Sequence, residues 1–177
     1  MEKEFNAKES LQLIEAMIEK AKFRPSKAYG YITMMWGYLV MLCALGHWVL
    51  ERSFKLEYAP AVWLLMIIGF VATFIMAGRA RKQKRVRSYI DEMVRQVWVA
   101  FSIAFLVLFF AIGGQSDTFL PTVLLLYGVS MWAQGALIRF KPYQMGAAVF
   151  WIAAAAAFIL EPGLQLLIMA IAVVLGY

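Results

Sequence analysis

The chain has 177 residues, 63% of them hydrophobic and 16% charged, with a mean hydropathy of +0.72 and a formal net charge of +6. Soluble domains are about half apolar and about a quarter charged, so this composition excludes an ordinary water-soluble fold, which at this size lacks the interior to hide so much apolar surface. One cysteine, Cys43, and one histidine, His47, exclude an internal disulfide and a structural zinc site.

The first 28 residues are polar and of mixed charge, unlike a cleavable leader. From about Ala7 to Phe23 they read as a cytoplasmic amphipathic helix. Leu11, Ile14, Met17 and Ile18 share one face, while Glu9, Glu15 and Glu19 lie mostly on the other. Asn6 and Glu9 form a capping-box pattern at its start, and Pro25 ends it. A membrane-surface helix usually carries a Lys- and Arg-rich polar face. The acidic face here favours contact with protein, so Leu11, Ile14, Met17 and Ile18 are read as a partner-binding face.

Six apolar runs follow, at about 29–50, 58–78, 94–112, 119–138, 143–160 and 163–177. A transmembrane helix needs about 20 mainly apolar residues, and the last run is the shortest. The expected fold is all-α: a polytopic bundle of six transmembrane helices arranged as three hairpins, preceded by the N-terminal helix. Each hairpin carries a Trp in its first helix, namely Trp36, Trp98 and Trp151, which hints at a triplicated unit; aromatic belts alone would produce the same likeness.

Charge fixes the expected orientation. Six basic residues precede the first run, seven lie between Arg79 and Arg95, and Arg139 and Lys141 separate the fourth run from the fifth. With alternating sides, fifteen Lys and Arg fall on one side and only Arg52 and Lys55 on the other. The positive-inside rule then places both termini in the cytoplasm.

No P-loop, dinucleotide fingerprint, nucleophile elbow or HExxH stands in the sequence. No Asp, Glu, Lys or Arg occupies the middle of a run, which argues against ion-coupled transport and leaves a neutral pore open. His47 and Glu51 are one turn apart and read either as two metal ligands or, with no third ligand to complete a site, as an interfacial pair. Gln134, with Ser130 and Thr73, is read as interhelical hydrogen bonding or as a solute contact. Gly69, Thr73 and Ala77 in the second run, and Gly146, Ala153 and Ala157 in the fifth, are read as helix-packing positions. Arg79, Arg81, Lys82, Lys84, Arg85 and Arg87 are read as contacts for anionic lipid rather than nucleic acid.

The chain resembles small uncharacterised six-helix inner-membrane proteins of bacteria. The resemblance rests on the Lys8-Glu9-Ser10-Leu11 to Lys22 helix, the Trp36-Gly37 pair and the basic-aromatic-Pro turn Arg139-Phe140-Lys141-Pro142. It implies a six-helix protein of unknown function; some similar small membrane proteins work with cytosolic regulators, and no catalytic residue or cofactor is carried over. The expected function is a non-enzymatic membrane scaffold or regulatory protein; the alternative is a small transporter or channel for a neutral or lipid-like solute.

Overall fold

The computed structural model describes residues 11–12, 27–83, 89–113 and 116–176. Of the N-terminal helix only Leu11 and Gln12 are described, helical and exposed; Ile14, Met17 and Ile18 lie outside the described residues. Six α-helices follow: α1 (Lys27–Phe54), α2 (Leu65–Gln83), α3 (Tyr89–Ile112), α4 (Phe119–Leu137), α5 (Lys141–Ile159) and α6 (Pro162–Gly176). A 3₁₀ turn, Ala59–Leu64, runs directly into α2. Among the described residues five stretches are long and apolar enough to cross a membrane, and α6 is a shorter apolar helix of 15 residues. The chain is a multi-pass helical membrane protein.

The helix ends depart from the apolar runs where interfacial polar residues join a helix. α1 continues through Glu51-Arg52-Ser53 and stops where Lys55 takes a positive φ of 48°. α3 begins at Tyr89 rather than near 94, because Asp91 and Glu92 suit a helix N-terminus and Glu92 pairs with Arg95 one turn on. Arg95, at the start of the third apolar run, is helical. The second run is not one helix: Pro60 starts the 3₁₀ turn, and the α-helix proper begins at Leu65. α4 ends on Arg139, at φ 53°, with the Phe140 N–H donating to the Gly135 carbonyl at 2.9 Å. That is a Schellman ending with arginine in the place glycine usually takes.

Successive helices are antiparallel. Trp36, early in α1, meets Thr73, late in α2; Trp98, early in α3, meets Gln134, late in α4; Gly146, early in α5, meets Gly176, at the end of α6. Laterally the helices form a row in the order α2, α1, α6, α5, α4, α3, with α4 also touching α6. The core lies in the middle of this row, where Leu124, Met131, Ala147, Phe150, Ala154, Ala157, Ala170 and Val173 are buried. In lipid no hydrophobic force draws helices together, so small residues that permit close approach do that work. α2 and α3 each touch one long helix, at the two ends of the row, and turn most of their apolar surface outward.

Candidate functional site

The buried polar side chains show where specific chemistry is possible. Gln134 is fully buried on α4, and its Oε1 accepts the indole N–H of Trp98 at 2.8 Å. Ser130, one turn earlier, donates to the Leu126 carbonyl of its own helix at 3.1 Å. Thr73 on α2 accepts the indole N–H of Trp36 at 2.9 Å and donates to the Gly69 carbonyl at 2.8 Å. The pairs Trp36–Thr73 and Trp98–Gln134 are equivalent clasps: an indole on the first helix of a hairpin reaches a polar side chain on the second, 37 and 36 residues on. Trp151 breaks the threefold pattern. It lies against Gly128 of the preceding helix and stacks on Trp132, with ring centroids 5.4 Å apart.

The structure does not bring Thr73 together with Ser130 and Gln134. α2 and α4 share no contact: Thr73 bonds to Trp36 and Gly69, Ser130 to Leu126, and Gln134 accepts from Trp98. An open recess of about 210 Å³ lies elsewhere, between α1 and α6. Its lining is wholly apolar: Met41, Leu45, Ala170, Ile171, Val174 and Leu175.

Small residues sit at the tightest helix contacts. Gly69 faces the Leu39 side chain and the Trp36 ring, so α1 and α2 approach closely there. Ala77 is half-buried, while Gly146, Ala153 and Ala157 are buried in the core. Of the basic group, Arg79 is exposed at the end of α2; the side chains of Arg81 and Lys82, and the whole of Lys84, Arg85 and Arg87, lie outside the described residues.

Two polar contacts escape sequence reasoning, that of Gln165 and that of Trp63 with His47. Gln165, on the first turn of α6, is buried and donates from Nε2 to the Asp117 carbonyl at 2.9 Å and the Ala157 carbonyl at 3.1 Å. It ties the α3–α4 link to the end of α5. Its place next to Pro162-Gly163 makes it look interfacial, which hides its burial. The second is on α1. His47 Nδ1 accepts the Trp63 indole N–H at 3.1 Å, and His47 Nε2 lies 3.9 Å from the Glu51 carboxylate. The i, i+4 spacing reveals the Glu51 contact, whereas Trp63 is distant in sequence and carries no signal. Trp48 Nε1 is the one buried side-chain polar atom among the described residues without a partner. Among those residues no three His, Cys, Asp or Glu side chains gather as a metal site.

No family model, curated protein or solved structure matches the chain.

Proposed function

We propose that the protein is a non-enzymatic membrane scaffold or regulatory protein. It crosses a bacterial inner membrane six times as three hairpins, with both termini in the cytoplasm. The N-terminal helix engages a cytosolic or membrane partner through Leu11, Ile14, Met17 and Ile18. The observation that carries this reading is the internal satisfaction of the polar groups. Thr73, Ser130 and Gln134 each bond within one hairpin and line no common passage, while the α1–α6 recess is apolar. A pathway for a polar solute needs polar groups that line it. A scaffold needs a rigid bundle and a free recognition element. Leu11, at 62% exposure, supports the second requirement.

The orientation rests on the fifteen-to-two division of basic residues. With this polarity the N-terminal helix and the Arg79–Arg87 segment lie on the cytoplasmic side, where anionic headgroups hold the latter.

The test is affinity purification from native membranes of the wild-type chain and the Ile14→Asp/Ile18→Asp variant. The wild type is expected to retain a protein that the variant loses, with membrane insertion unchanged. Recovery of the same proteins with both chains overturns the reading.

A further inference from the structure

The loop between α1 and α2 is seated on one face of α1. Cys43, Gly46 and His47 occupy that face at positions i, i+3 and i+4, and all three contact the 3₁₀ turn. The Cys43 thiol donates to the Val62 carbonyl at 3.5 Å, Gly46 leaves room for the Val62 side chain, and His47 takes the Trp63 indole. The first is a weak thiol bond and the second is van der Waals contact, so the His47–Trp63 bond is the strongest polar tie.

An indole N–H only donates. His47 Nδ1 must therefore carry a free lone pair, which puts the imidazole proton on Nε2, the nitrogen that faces Glu51 at 3.9 Å. Adding a proton to Nδ1 makes both ring nitrogens donors. The indole then opposes another N–H, and the imidazolium gains a cation's attraction to the Glu51 carboxylate. The two partners of His47 thus favour opposite protonation states.

We propose that His47 is a pH-operated latch for the 3₁₀ turn. With the neutral imidazole the turn is bound to α1 through Trp63; with the imidazolium His47 turns to Glu51 and the turn is released. The tie is present at higher pH and lost as pH falls through the imidazole titration. The surroundings make Glu51 the controlling charge. The 3₁₀ turn and α6 contain no ionisable residue, and the basic residues of α2, Arg79, Arg81 and Lys82, lie at its other end. Arg52 on α1 and Lys55, Glu57 and Tyr58 in the link are exposed. Under the orientation proposed above the latch faces the outside of the cell; the switch itself does not depend on that orientation or on a partner.

The single histidine makes the test clean. Protein with ¹⁵N-labelled histidine and tryptophan, in detergent micelles, is titrated from pH 8 to pH 4.5 by NMR. The His47 ring is expected to titrate in this range. The Trp63 indole signal, assigned with Trp63→Phe, is expected to move with the same midpoint. Exchange of that indole proton, corrected for its intrinsic pH dependence, should rise about tenfold at the acid end, the equivalent of one hydrogen bond. In His47→Gln, which keeps an acceptor but does not titrate, the indole signal should stay fixed. A ring that does not titrate, an indole that ignores the titration, or an unchanged indole response in His47→Gln overturns the proposal.

Discussion

Gly146 has no room for a side chain: a Cβ there would run into the Gly176 carbonyl oxygen and the Met131 methyl group. The carbonyl belongs to helix backbone, so it does not swing aside as a side-chain tip does. Gly176 in turn lies under the Phe150 ring. α5 and α6 therefore meet backbone to backbone, and overpacking such a contact costs about 1–3 kcal/mol. Gly146→Ala is expected to lower the melting temperature of the detergent-solubilised protein. Gly78→Ala, at a helical site where nothing lies within 4 Å of the added methyl, should leave it unchanged or raise it through helix propensity. Equal melting of the two variants would show that the Gly146 contact yields freely. This scale also marks a boundary of what sequence conveys. The glycine at 146 is visible as a small residue in an apolar helix, but its partner at 176, thirty positions away, is not.

Among the elements, the chain order of the helices differs from their order in space. The link between α1 and α2 is short enough to make them neighbours, and apolar runs separated by turns announce the individual helices. The contact of α1 with α6 has no such local cause, since the two are joined only through the rest of the bundle. The same limit explains why the Trp63–His47 and Gln165–Asp117 bonds are invisible in the sequence while the His47–Glu51 spacing is not. Pro60 is a legible signal for a break in the second run, and its effect is the 3₁₀ turn before α2. Gln165 offers a test of how the links are held. Its amide N–H group supplies the Asp117 and Ala157 carbonyls, and Leu160 lies at the margin of its reach at 3.5 Å. Gln165→Leu removes the donor and is expected to cost about 1 kcal/mol, read from melting, with faster backbone exchange at Thr118 and Phe119. Gln165→Glu should be worse, because a carboxylate would face carbonyl oxygens in a buried site and cannot donate to them when ionised. A glutamate variant more stable than the leucine variant would remove the clamp assignment.

On the scale of the whole molecule, the remaining question is how many times the chain crosses the bilayer, and α6 decides it. Its 15 residues rise about 22 Å at 1.5 Å each, against a hydrocarbon core of about 30 Å. Yet α6 is not peripheral. Leu166, Met169, Ala170, Ala172 and Val173 are buried, and it packs between α1 and α5, both long enough to span. It runs antiparallel to α5, and Gly176 meets Gly146, a turn and a half inside the Lys141 end of that helix. Gly176, the last described residue of α6, thus stops short of the level of Arg139 and Lys141. A helix held at such depth on both flanks reads as a sixth crossing. Reporter fusions separate this from a five-span arrangement. A reporter active only in the cytoplasm should work when inserted within 79–88 and fail at Gly114 or Gln115, as the basic-residue asymmetry requires. Fused after Tyr177 it should work again. Activity within 79–88 combined with inactivity after Tyr177 would mean that α6 does not cross, and activity at Gly114 with inactivity within 79–88 would invert the whole orientation.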